Sequence, residues 1–331
     1  MEFGSPEALR DEFDALCAQG AVERALLLCG DAGRQTGDVP LRATALLRRG
    51  DLLLRLGRDN EAIAVFIECR DLARRAGSEG QDLLADASYY LALAPDAPPG
   101  EDYLGFALSV FERMIADGQR EPAVLGRLAR LYEATGRLAH ARELYDEARR
   151  TSAGGEAVHF AAALAYVTGR LDGYPAGRRL FEEACYATER HPEVVPSTFW
   201  EFAMFEWESE HYPDALLFFR ASLQALDKDP VLAQNQPFLA EVHWRIGRIY
   251  YADGELDEAI DHCTQVLPNA AHAPRFAGGA HLILGHCFAA RGDMARAAHH
   301  YRACLDSPAT PEDERRQALD GLQQTGAGGR A

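Results

Sequence analysis

The sequence predicts an all-α protein, an α-solenoid of about eight helix-turn-helix pairs. The stretch 238–267 reads as two amphipathic helices, with Gly254 at the turn between them. Small residues, Gly247 and Ala259, stand where the two helices must cross. The pattern then recurs, since Gly285 follows Gly247 by 38 residues. Each helical pair is too small to bury its apolar side alone, so stacked pairs must share one continuous core.

The pairs follow one another along the chain, and each second helix begins near a small residue that follows a turn. In pair order these small residues are Ala25, Ala62, Ala107, Ala141, Gly177, Ala215, Ala259 and Ala297. Two pairs are irregular. The third is interrupted by the proline-rich stretch 95–100, which no helix can cross, and the fifth has a turn lengthened by 172–174.

The chain ends suggest three segments. Residues 1–5 (Met-Glu-Phe-Gly-Ser) look like a cloning scar, which would mean that the natural start is lost and that the chain is a fragment. Residues 6–310 form the repeat domain. Residues 311–331 are predicted to be a short capping helix, containing Ala318 and Leu322, followed by a flexible tail.

Composition and charge narrow the choice of partners and compartment. The chain has 47% hydrophobic and 26% charged residues, which is normal for a folded domain. A formal net charge of −17 argues against binding nucleic acid or anionic membranes. No secretory signal or membrane-spanning run is present, and the seven cysteines are scattered, so a reducing cytoplasm is expected.

The run Ile246-Gly247-x-x-Tyr250, followed by Gly254 and Ala259, resembles the tetratricopeptide repeat family. The resemblance extends over residues 6–307 and is strong in the second, fourth, seventh and eighth pairs. Units longer than the family's usual 34 residues resemble its long-unit variety, which is seen in bacterial regulators and motor-associated adaptors. The resemblance implies a right-handed superhelix whose first helices line a concave groove. It also implies a non-catalytic scaffold or adaptor that binds a peptide or protein segment.

Three first helices carry pairs of aromatic or histidine residues spaced by seven, which places both members of a pair on one helix face. Together with the residues between them, the candidate groove residues are His159, Tyr166, Trp200, Met204, Trp207, Trp244, Arg248 and Tyr251. The alternative is that this face packs between neighbouring units. A groove would suit a protein or peptide with an apolar anchor, and its basic flanks would meet Glu201, Glu206 and Glu208.

Two other functions remain open from the sequence. The first is a peptide- or signal-responsive regulator, whose DNA-binding part is not visible in this sequence. The second, more remote, is a metal-dependent enzyme that uses the C-terminal histidines and cysteines. Cys263 and Cys304 coincide with apolar core positions of other units, and the histidines lack a ligand spacing. We therefore expect no catalytic residue, no metal and no cofactor.

Overall fold

The computed structural model describes residues 6–35, 38–94 and 96–326, and it confirms the all-α prediction. These ranges contain 17 α-helices and no β-strand, and the helices cover well over two-thirds of the chain. Sixteen of the helices match the eight predicted pairs in order. The first helices are α1 (Pro6–Ala18), α3 (Val39–Arg55), α5 (Gln81–Leu93), α7 (Pro122–Ala134), α9 (Gly154–Asp172), α11 (Val195–Glu208), α13 (Gln236–Ala252) and α15 (Pro274–Ala290). The second helices are α2 (Val22–Gln35), α4 (Asp59–Arg75), α6 (Tyr103–Ala116), α8 (Leu138–Thr151), α10 (Tyr174–Ala187), α12 (Tyr212–Gln224), α14 (Leu256–Val266) and α16 (Met294–Asp306).

The chain ends are only partly described. Helix α17 (Glu312–Gln324) lies in the segment where a capping helix is predicted. The proposed scar at residues 1–5 lies outside the described residues, as do residues 327–331 of the predicted tail. In the third pair, residues 96–102 between α5 and α6 are not helical.

The turn glycines have the left-handed backbone that closes a helix. Gly254 has φ 81° and Gly292 has φ 75°. After α13 the backbone N–H of Glu255 donates to the Tyr250 carbonyl at 2.9 Å, which caps the helix end. At the corresponding turn of the sixth pair, Glu210 takes φ 63° without being glycine.

The chain divides into two compact units. Unit 1 comprises residues 1–205 and 225–232, and unit 2 comprises residues 206–224 and 233–331. In unit 1, successive helices from α2 to α10 pack side by side around two hydrophobic clusters. In unit 2, the pairs α13–α14 and α15–α16 pack around a third cluster, with α17 against α15 and α16.

Glycine allows the close helix crossings that the sequence predicts. A Cβ atom on Gly247 would lie 2.6 Å from Cys263 Sγ, and one on Gly285 would lie 2.5 Å from the Tyr301 ring. Both contacts are shorter than van der Waals distance, so a larger residue would require the neighbouring side chain or helix to move. The same crossing therefore recurs in the seventh and eighth pairs. Across the described ranges, every helix is too short or too polar to span a bilayer.

Candidate partner-binding site

The eight candidate residues are divided between the two units. His159, Tyr166, Trp200 and Met204 belong to unit 1, whereas Trp207, Trp244, Arg248 and Tyr251 belong to unit 2.

In unit 1, two of the candidate residues, His159 and Tyr166, contact side chains of the same unit. His159 is exposed, and its Nδ1 lies 3.7 Å from Oε1 of Glu201. Burial raises the pKa of Glu201, and the nearby His159 opposes that rise. The Tyr166 ring meets Phe205 edge-on at 6.5 Å between centroids. Tyr166, Trp200 and Met204 are all half-buried, and the Arg170 guanidinium lies 6.0 Å from the centre of the Tyr166 ring.

In unit 2, four rings form a continuous row, which we call the aromatic strip: Tyr212, Trp207, Trp244 and Phe276. The centroid separations along it are 5.3 Å for Tyr212–Trp207, 6.3 Å for Trp207–Trp244 and 5.5 Å for Trp244–Phe276. These values fall in the range where aromatic pairs attract each other. The strip begins at the turn between α11 and α12 and continues to α13 and then to α15.

Two arginines of α13 lie over the two tryptophans. The Arg248 guanidinium is 5.6 Å from the Trp207 ring centre and 5.4 Å from that of Trp244. Arg245 is 4.9 Å and 5.7 Å from the same rings. These distances are within the range of cation–π attraction. Arg245 was not among the residues predicted from the sequence, although its place beside Trp244 and three residues before Arg248 could have indicated it.

The two arginines differ in their hydrogen bonds. Arg245 is largely buried and donates twice to Oε1 of Glu241, at 2.6 and 2.9 Å. Arg248 is exposed, and no side chain or carbonyl of the described residues accepts a hydrogen bond from it. Its charge opposes the rise that burial causes in the pKa of Glu314, but the two groups form no ion pair. Arg248 therefore presents an oriented guanidinium whose donors are available to a ligand.

The sequence left two explanations for the aromatic face, and burial in unit 2 differs from residue to residue. Trp244 is only 8% exposed and belongs to the hydrophobic cluster of unit 2. Trp207 and Tyr251 are half-buried. Among the carboxylates expected to meet basic flanks, Glu206 is fully buried and Glu208 is exposed.

A second contact between α13 and α15 involves Tyr251. The Tyr251 ring stacks on His286 with centroids 5.6 Å apart. His286 Nδ1 lies 2.9 Å from the Tyr301 hydroxyl oxygen. Burial lowers the pKa of His286, which favours the neutral form of this imidazole. In the sequence His286 stands out only as part of a histidine-rich region, and nothing there connects it to Tyr251.

The C-terminal cysteines fill the core. Cys263 and Cys304 are completely buried, and burial raises the pKa of the Cys304 thiol to about 11. In the ranges that the structure describes, no three histidine, cysteine or carboxylate side chains converge as metal ligands would.

Comparison with known proteins places the chain in a family. Models of the tetratricopeptide repeat match residues 43–75, 107–156 and 202–274. The yeast Tom70 crystal structure is similar at 15% identity and a TM-score of 0.59, over 97% of this chain and 61% of that one. This chain thus spans about three fifths of the length of that structure. A Rap protein complexed with competence and sporulation factor is similar at 10% identity and a TM-score of 0.57, over 97% of this chain and 98% of that one.

At these identities the two structures establish the fold only. No curated protein matches the sequence. The repeat models and the regular helical pairs agree, and the chain is a tetratricopeptide repeat protein.

Proposed function

We propose that the protein is a non-catalytic interaction scaffold and that unit 2 binds an extended peptide segment of its partner. The binding face consists of Trp207, Arg248, Tyr251 and His286, with Trp244 as its buried support. The observation that carries this proposal is the state of Arg248. Its guanidinium is exposed, held over two tryptophan rings, and bonded to no acceptor of the described residues.

The fixed position of Arg248 favours binding. A free arginine side chain loses rotamer entropy when a ligand immobilises it. Here the contacts with Trp207 and Trp244 already restrict the side chain before any ligand arrives. A carboxylate or backbone carbonyl oxygen of the peptide can accept its hydrogen bonds at a reduced entropic cost.

The aromatic surroundings determine the rest of the partner's chemistry. Trp207 and Tyr251 are half-buried, so part of each ring is open to an apolar side chain of the peptide. Large amphipathic rings of this kind commonly dominate recognition energies. The exposed carboxylate of Glu208 would meet a basic residue at one flank of the apolar anchor. Glu206 is fully buried and therefore does not contribute to this contact.

A peptide-display selection against the whole chain tests the proposal. The selected sequences should share an apolar anchor, and their affinity can be measured by fluorescence anisotropy of labelled peptides. Trp207→Ala and Arg248→Ala should each weaken binding about tenfold, because a lost anchor typically costs about 1–2 kcal/mol.

Leu217→Ala is the matched control, because Leu217 is 60% exposed on α12 of the same unit but is not part of the binding face. Binding that is lost equally in all three variants would point to a general disturbance of unit 2. Selected peptides whose affinity is unchanged by Trp207→Ala and Arg248→Ala would contradict the proposal and place recognition on another surface.

A further inference from the structure

The seventh and eighth repeats contain two histidine pairs with the same geometry. In the seventh, His243 of α13 faces His262 of α14, and in the eighth, His281 of α15 faces His300 of α16. The Nδ1···Nδ1 distance is 3.0 Å in both pairs, and the ring centroids are 5.2 Å apart in both. The interplanar angles, 37° and 36°, also agree. The same contact therefore joins the first and second helices of two successive repeats.

The geometry identifies the contact as a hydrogen bond. The 5.2 Å between centroids is nearly the 3.0 Å N···N distance plus the two ring radii. Both Nδ1 atoms therefore lie close to the line that joins the rings, as in a linear N–H···N bond. A metal ion shared by the two nitrogens would instead require ring axes that converge at an angle on the ion.

A linear bond between two imidazoles has a fixed proton content. One ring must carry its proton on Nδ1, and the other must keep a lone pair there and carry its proton on Nε2. A first added proton goes to the free Nε2 of the donor ring and leaves the bond intact. A second added proton would have to occupy the acceptor Nδ1, so that two N–H groups of two cations would face each other.

Most of the side chains around the two histidine pairs disfavour a positive charge on them. Arg220 of α12 lies near His262 and disfavours its cationic form, whereas Asp261 favours it. The Tyr250 ring covers His262 at 5.7 Å, and its hydroxyl accepts a hydrogen bond from Arg220. In the eighth repeat, a positive charge on His299 or Arg296 disfavours the cationic form of His300, and the Phe288 ring stacks on His300 at 5.4 Å. Of these neighbours only Asp261 would stabilise a cation.

We propose that the two pairs make the seventh and eighth repeats acid-sensitive, because a second proton on a pair separates the first helix of the repeat from the second. The agent is the proton itself, and the effect requires no partner. The proposal is therefore independent of the proposed peptide binding.

The direction of the pH effect follows from burial. Burial, reinforced by the partner imidazole, lowers the pKa of His243 to about 4, and the same causes lower that of His300 to about 4. Burial also lowers the pKa of His262 and of His281. An unfolded histidine titrates near 6.5, so the unfolded chain binds more protons between pH 6.5 and 4. The stability that depends on these histidines is therefore fully present above about pH 6.5, and it decreases as the pH falls from there towards about 4.

Nuclear magnetic resonance of the whole chain with ¹⁵N-labelled histidine tests the hydrogen bond directly. At pH 7.5, each pair should contain one Nδ1–H and one Nε2–H tautomer, with a ¹⁵N–¹⁵N coupling across the bond. If both rings of a pair carry the proton on Nε2 and show no coupling, the proposal is overturned. This measurement uses the unaltered protein and so does not depend on whether a variant folds.

Hydrogen exchange tests the consequence. Between pH 7 and 5, amide protection factors in α13–α16 should fall at least about tenfold, while those in α7 and α8 of unit 1 change less. The double variant His262→Gln/His300→Gln removes one cation from each pair and should abolish most of that decrease. His272→Gln, at an exposed loop position of the same unit, is the matched control and should show the same decrease in protection as the unaltered protein. An equal decrease in the double variant and in the control would contradict the proposal.

Discussion

The first helices of the two units both carry arginines beside aromatic or acidic side chains, but they use them differently. In unit 1, Arg127 pairs with Asp86 at 2.9 Å and Arg130 pairs with Glu133 at 2.9 Å. The Tyr145 hydroxyl donates to the same Glu133 at 3.0 Å. In unit 2, only one of the two arginines of α13 that lie over the tryptophans has such a partner, namely Arg245 with Glu241.

The arginines of the two units therefore differ in whether their N–H donors are available to a ligand. An arginine whose donors are satisfied within its own unit contributes to helix packing and has little left to offer a ligand. Arg248 is positioned by aromatic rings instead, and cation–π contact leaves its N–H donors free. The comparison therefore predicts that substitutions in unit 1 change stability, whereas the corresponding change at Arg248 affects recognition.

The largest effect is expected at the centre of the aromatic strip. Trp244→Ala should destabilise unit 2 by about 3 kcal/mol or more, because it removes a buried indole between Trp207 and Phe276 and leaves a cavity. Chemical denaturation of the whole chain, followed by circular dichroism, measures this loss.

Trp244→Phe is the informative control. The Trp244 indole N–H has no hydrogen-bond partner in the described part of the chain, so phenylalanine loses volume but no bond. We expect Trp244→Phe to lower the free energy of unfolding clearly less than Trp244→Ala does. If Trp244→Ala leaves stability unchanged and removes peptide binding, then Trp244 belongs to the binding surface and not to its support.

A smaller effect is expected in unit 1. Arg127→Ala should cost about 2 kcal/mol at pH 7, because it leaves the Asp86 carboxylate without its partner. This value is below that of a fully buried pair, since both side chains are between one-fifth and one-third exposed. Burial raises the pKa of Asp86, and Arg127 opposes this rise, so the variant should raise that pKa further.

The pH dependence identifies the cause. Protonated Asp86 has no charge to pair, so the destabilisation by Arg127→Ala should be smaller at pH 4 than at pH 7. The double variant with Asp86→Asn should recover part of the loss at pH 7. A destabilisation that is the same at both pH values would indicate lost packing of the arginine stem instead of a lost ion pair.

The repeat architecture was predictable because it depends on local, periodic requirements. A close crossing needs glycine or alanine at Gly247 and Ala259, and a helix end favours glycine at Gly254. These requirements recur along the chain, so the order of residues alone is enough to place the eight pairs. The Glu210 turn shows the limit, since there an ordinary residue takes the backbone conformation that glycine takes in other repeats.

The site was less predictable because burial depends on the neighbouring repeat. Trp207 and Trp244 occupy similar helix faces, yet only Trp244 is covered enough to join the core. The histidine pairs, by contrast, could have been predicted from the sequence. His243 and His281 are 38 residues apart, as are His262 and His300, and this is the spacing between the seventh and eighth repeats.

The smallest effect on folding is expected at Arg248, and this variant tests the comparison most sharply. Arg248→Ala removes an exposed side chain that has no ion pair with a described residue, so the free energy of unfolding should change by less than about 0.5 kcal/mol. Binding of a selected peptide should nevertheless weaken about tenfold. Arg248→Lys should recover only part of that loss, because an ammonium group keeps the charge but not the planar pair of donors. A large loss of stability in Arg248→Ala would mean that its contacts with Trp207 and Trp244 are structural, as we expect the ion pair of Arg127 with Asp86 to be in unit 1.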